Sequence, residues 1–134
     1  MANIADIEGI GPVNAGKLKE AGVSSTDDLL SVGATARGRQ TLSEKTGISG
    51  HNLLEWVNRA DLFRIKGVGE EFSDLLESAG VDTVPELAQR NAENLHARLT
   101  AVNTEKKLTR RVPTVEQIEG WITQAKTMPR MVEH

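Results

Sequence analysis

The sequence predicts an all-α fold in which one helical unit is used twice, and three observations carry that prediction. No segment alternates apolar and polar β-branched residues as a half-buried strand would, and the turn signals instead punctuate helix-length segments. The stretch "IEGIGPVNAGKLKEAGVSSTDDLL" (7–30) overlays "IKGVGEEFSDLLESAGVDTVPELA" (65–88) at a shift of 58 positions, with Gly9 on Gly67, Gly11 on Gly69, Leu18 on Leu76, and Ala21-Gly22-Val23 on Ala79-Gly80-Val81. Further on, "LLEWVNRAD" (53–61) overlays "IEGWITQAK" (118–126) at a shift of 65, Trp56 on Trp121. The second copy is therefore seven residues longer than the first, and the charged stretch "TEKKLTRRVP" (104–113) is the expected place for them.

Each element has a local reason. In "IEGIGPVNAGKL", Gly9 and Gly11 flank the single apolar Ile10; a turn this tight needs positive φ and close backbone approach, and Ile10 is expected to point into the junction of two helices. A helix follows at once, and Gly22 sits where it would end. Ser25 with Asp28 three residues on opens a short helix near 26–31, a longer one is expected near 36–46 up to Gly47, and Ser49 opens the tryptophan helix. Leu53, Trp56, Val57 and Ala60 recur at i, i+3, i+4, i+7, so Trp56 belongs to the core. The second copy repeats the order: Gly67-Val68-Gly69, a helix ending at Gly80, a short helix near 84–90 opened by Thr83 and Glu86, and a longer one near 92–104. Its tryptophan helix is opened by Thr114 and Gln117 behind Pro113, with the stripe Ile118, Trp121, Ile122 and Ala125. The expected boundaries are 1–64 and 65–131, packed as one compact domain because the last helix of the first unit runs straight into the second hairpin. The closing Val132-Glu133-His134 reads as the remnant of an appended tag.

At 134 residues, 38% hydrophobic and 26% charged, the chain has the composition of an ordinary globular domain, and no apolar run approaches the roughly 18 residues that span a bilayer. The N-terminus lacks the basic start and apolar stretch of a signal peptide, so a cytoplasmic protein with no membrane partner is expected. Zero cysteines exclude disulfides, thiolate metal sites and cysteine nucleophiles. Aromatic content of 3% leaves little for a base-stacking platform.

The net charge of −3 argues against coating duplex DNA through bulk charge, but the charges alternate along the chain. Residues 1–36 carry Lys17 and Lys19 against five acids; 37–66 carries Arg37, Arg39, Lys45, Arg59, Arg64 and Lys66 against three. Residues 67–96 carry seven acids and only Arg90, and 97–134 carries seven basic residues against four acids. Within the last block Lys106, Lys107, Arg110 and Arg111 fall at i, i+1, i+4, i+5 and would make one cationic face if helical. That face is the strongest anion-attracting patch in the chain, though a solvated charge run is the plainer reading.

Catalysis has little to stand on. His51, His96 and His134 are far apart, and neither a nucleophile elbow, a P-loop nor a carboxylate pair occurs. A non-enzyme without metal or cofactor is expected. The glycine hairpins are the better candidates: their amides sit at a helix N-terminus, where unpaired N–H groups and the helix dipole favour an anion such as a phosphate diester.

The hairpin pattern, followed by Ala15, Leu18, Ala21-Gly22-Val23 and Leu29, resembles the helix-hairpin-helix motif of DNA repair and recombination proteins, a SAM-like arrangement when doubled. With its tryptophan helices, nearly the whole chain resembles the domain of unknown function 4332 family. The motif resemblance implies hairpin amides that bind a phosphate without reading sequence, aided by a nearby Lys or Arg and in some members by a monovalent cation on the hairpin carbonyls. It also implies two copies paired about a pseudo-twofold across a minor groove. The residues it implies are Gly9, Ile10, Gly11 and Lys17, and Gly67, Val68, Gly69 and Lys66. The copies depart from each other: Pro12 and Asn14 flank the first helix start with Lys17 and Lys19 in reach, whereas Glu70, Glu71 and Asp74 flank the second. Such acids already suit the helix dipole and repel a phosphate. Two functions follow as expectations, a sequence-nonspecific DNA- or RNA-binding module or a helical protein-interaction scaffold whose hairpins are structural.

Overall fold

The computed structural model describes residues 3–133. The described residues form a 3-10 turn, Ile4–Asp6, and eight α-helices, four of them capped at the expected Ser25, Ser49, Thr83 and Thr114: α1 (Gly11–Glu20), α2 (Thr26–Gly33), α3 (Ala36–Thr46), α4 (Gly50–Leu62), α5 (Glu70–Ser78), α6 (Val84–Ala88), α7 (Ala92–Lys106) and α8 (Val115–Thr127). Among the described residues no strand forms; one isolated antiparallel bridge pairs Asn3 with Ser25. The fold is all-α, as the sequence predicts.

The chain divides into two compact units, residues 1–61 with 131–134, and residues 62–130. The seam lies three residues before the expected one. In the C-terminal segment Val132 is buried, and the Glu133 amide donates to the Ala34 carbonyl at 2.7 Å. His134 lies outside the described residues.

In the first unit, α1 closes with paired backbone bonds. The Val23 amide donates to the Leu18 carbonyl (2.8 Å) and the Gly22 amide to Lys19 (3.0 Å), with Gly22 at a φ of 87°. This glycine-terminated stop satisfies carbonyls the helix would leave orphaned. Ser25 and Asp28 form a reciprocal capping box on α2, and Thr35 caps α3. The predicted stripe of α4 is inside: Leu53, Trp56, Val57 and Ala60 are all buried.

Arg39 belongs to the basic block of residues 37–66, yet only 6% of it is exposed. Its Nη1 donates to the carbonyls of Gly33 (2.8 Å) and Ala34 (3.1 Å), and its Nη2 to that of Glu133. The first two are carbonyls at the C-terminal end of α2, where the helix dipole is negative, so a cation there is electrostatically matched. Arg39 is thus a structural cation of the first unit.

The second unit repeats the local order. The Val81 amide donates to Leu76 (2.9 Å) and the Gly80 amide to Glu77 (2.9 Å), with Gly80 at a φ of 92°. Thr83, Asn91 and Thr114 cap α6, α7 and α8. Its core gathers Leu62, Ile65, Val68, Leu75, Leu76, Leu87, Leu95, Leu99, Ile118 and Trp121, with the Phe72 ring tilted 54° against Trp121 at 5.4 Å between centroids. That geometry suits an aromatic pair.

The extra residues of the second copy are spread more widely than expected. Helix α7 has 15 residues against 11 in α3, and the step to the tryptophan helix takes Lys107–Thr114 where the first unit uses only Gly47–Ser49. Lys107 ends α7 in the left-handed region at a φ of 53°. The conditional helical face of Lys106, Lys107, Arg110 and Arg111 therefore does not form: Lys106 is the last helical residue and the two arginines lie in the following loop.

Candidate nucleic-acid interface

Both hairpins are set by short backbone turns. The Ile7 amide donates to Ile4 (3.1 Å) and the Ile10 amide to Ile7 (3.4 Å); in the second unit Ile65 donates to Leu62 and Val68 to Ile65, both at 3.1 Å. Ile10 and Val68 are buried, as expected of the apolar residue between the glycines.

The two glycines of each turn face different surroundings. Gly9 and Gly67 hold φ of 93° and 95°, and each lies against a tryptophan: a Cβ on Gly9 would sit 3.6 Å from Trp56 Nε1, and one on Gly67 only 2.9 Å from Trp121 Nε1. The close approach that the glycine permits is to an indole. Gly11 and Gly69 are exposed, and a Cβ there would meet nothing within 4 Å. Gly11 has a φ of 69°, but Gly69 is extended at −103°, so positive φ is not shared by all four. Pro12 follows Gly11 where Glu70 follows Gly69, and a residue before proline is restricted in its backbone.

The helix N-termini at these hairpins stand apart from the rest. Ser25, Thr35, Thr83, Asn91 and Thr114 each accept a bond from an amide of the first turn of their helix, and Ser49 Oγ accepts from the Asn52 amide (3.1 Å) at α4. Helices α1 and α5 have no side-chain cap among the described residues. At α5, Glu70 and Glu71 occupy the first turn; at α1 no acid does, and Val13 there is 70% exposed.

Of the cations, Lys17 lies in the last turn of α1, about 9 Å along the axis from Gly11 at 1.5 Å per residue. There it complements the negative end of the dipole. Lys66 is exposed beside Gly67, and its backbone is gripped from α8: its amide donates to Gln124 Oε1 (2.9 Å), and Gln124 Nε2 donates to its carbonyl (3.2 Å). Lys106, Lys107, Arg110 and Arg111 are all exposed.

Sequence reading missed Gln124 and the tryptophan contacts. Trp56 and Trp121 each recur behind a glycine turn, 47 positions after Gly9 and 54 after Gly67, a signal that pointed to packing but not to its partner. Gln124 gave none, since the corresponding position in the first unit is Arg59.

No solved structure matches the chain significantly. The family model described as Domain of unknown function (DUF4332) matches residues 8–128, which take in both hairpins and both tryptophan helices, and the chain belongs to that family.

Proposed function

We propose that the two units are duplicated helix-hairpin-helix modules and that the chain is a non-catalytic, sequence-nonspecific nucleic-acid-binding module. The α1 hairpin takes a phosphate of the DNA backbone at its first-turn amides. The observation that carries this reading is the uncapped, acid-free start of α1 behind exposed Gly11. Each capped helix engages one first-turn amide with a side chain; α1 has no such cap and, since Pro12 carries no N–H, offers the amides of Gly11, Val13 and Asn14 beside a turn open to solvent. The second hairpin shares the spacing and the left-handed first glycine but not the φ of the second, and there Glu70 and Glu71 supply the negative charge its dipole favours and oppose a phosphate.

The pairing of the two units suggests the test. Val13 corresponds to Glu71 at the shift of 58, so Val13→Glu copies the second hairpin's charge into the first. A first-turn glutamate suits the helix dipole, so the fold is expected to keep or slightly gain stability. A carboxylate about 6 Å from a phosphate costs about 0.7 to 3 kcal/mol for an effective dielectric constant of about 80 to 20, roughly 3- to 150-fold in affinity. Fluorescence anisotropy with labelled duplex, single-stranded and junction DNA, titrated at low and moderate salt, measures this. Wild type should bind with log K falling linearly in log salt. Absence of binding to all three probes at low salt would leave the protein-scaffold reading, which the acids over the second hairpin favour.

A further inference from the structure

The loop that the second unit adds after α7 is not a slack connector. Asn103, half-buried in the last turns of α7, closes it with two bonds: the Thr109 amide donates to Asn103 Oδ1 (2.9 Å), and Asn103 Nδ2 donates to the Thr109 carbonyl (3.1 Å). Thr109 Oγ1 then donates to the Arg111 carbonyl (2.7 Å). Lys107 is held in the left-handed region, which disfavours a side chain and persists only where the surroundings impose it. The first unit makes the same helix-to-helix step with Gly47–Ser49, so joining the helices does not require the longer loop. At the position corresponding to Asn103, which each C-cap amide picks out by its bond to that carbonyl, stands Ser43, whose hydroxyl makes a single bond to the Ile48 carbonyl. The longer loop carries four exposed cations, and among the described residues none of Lys106, Lys107, Arg110 and Arg111 pairs with an acidic side chain.

We infer that residues 106–111 form a preorganised phosphate-contact loop for nucleic acid, with Asn103 as its positioning residue, and that this loop is the second unit's substitute for its acid-covered hairpin. The inference rests on the nucleic-acid reading above and deepens it. Lys106 and Lys107, at the end of α7, also complement the helix dipole, but Arg110 and Arg111 lie beyond the helix where that role is absent. A loop backbone already closed by Asn103 does not have to be ordered on binding, so less of the Coulomb attraction is spent on ordering the loop.

The test compares three variants of the 134-residue chain on a fluorescein-labelled 20-base-pair duplex and on its single strand. Asn103→Ala leaves the net charge unchanged, so a loss of affinity of about three- to tenfold, with a salt slope reduced by about 0.7 to 0.9, reads the lost ordering of one phosphate contact. Arg110→Glu with Arg111→Glu should weaken binding at least about tenfold and reduce the slope by about 1.4 to 1.8, and these exposed positions keep the test valid if Asn103→Ala unfolds. If both leave affinity and slope unchanged while Val13→Glu weakens binding, the loop is a solvated connector and the hairpin reading stands alone. If wild type binds neither probe at low salt, both fall.

Discussion

Gly67 and Gly69 are one residue apart in a motif that looks symmetrical, yet they answer to different constraints. Gly67 combines a φ of 95° with an indole nitrogen 2.9 Å from where a Cβ would stand. Gly67→Ala is expected to cost about 1–3 kcal/mol from backbone strain alone, and more from displacing Trp121. Gly69→Ala puts a methyl into open space at an ordinary φ. It loses some N-cap preference and gains from a stiffer unfolded chain, so the net change should lie within about 1 kcal/mol. Urea denaturation midpoints of the two variants check the ranking; equal losses would mean that the glycines share one role. The sequence showed that both turns need glycine, but the tryptophan behind only the first of each pair was invisible. That contact is made by a side chain from the far end of the unit.

Helices start and stop here by short-range chemistry, which is why most boundaries were legible. Ser25 and Asp28 show it well: Asp28 Oδ2 accepts from the Ser24 amide (3.1 Å) and the Ser25 amide (3.2 Å), and Ser25 Oγ accepts from the Asp28 amide (3.0 Å). The Ser24 amide chiefly, with Ser25 and the two hydroxyls, pulls the Asp28 carboxyl below its ordinary value, against some desolvation. A carboxyl depressed in the folded state stabilises above its unfolded pKa, and that contribution fades as pH falls through the depressed folded value. Asp28→Asn should therefore lower Tm at neutral pH, and the gap to wild type should close in strong acid. An undiminished gap at low pH would show that charge is not what the cap supplies. The corresponding Glu86 of α6 instead reaches Arg90 at 3.5 Å, one turn on. The basic stretch departs from a helix for a related reason. The spacing of Lys106, Lys107, Arg110 and Arg111 fits a helix, but Asn103 captures Thr109 and Lys107 turns left-handed, so the local side chain–backbone bonds displaced the periodic pattern.

Across the molecule, the chain leaves the first unit after Asp61 and supplies it again from Met131 onward. Arg39 joins these pieces by donating to Gly33, Ala34 and Glu133. Arg39→Ala strands the two carbonyls at the end of α2, at about 1–3 kcal/mol for each buried group left unsatisfied. Amide hydrogen exchange resolved along the sequence should show faster exchange within residues 4–61. Acceleration confined to 62–130 would contradict the placement of Arg39. No transmembrane helix interrupts this organisation, for among the described residues no helix is long and apolar enough to cross a membrane. Helix ends, the two glycine turns, the repeated order and the buried tryptophan stripes were all readable along the chain, because caps and the 3.6-residue period act within a few positions. The grip of Gln124 on Lys66 spans 58 positions and that of Arg39 on Glu133 spans 94, and no local pattern encodes such pairs. Folding alone brought them together, and it thereby sorted cations that look alike in sequence: Arg39 went into the core, while Lys106, Lys107, Arg110 and Arg111 stayed in water.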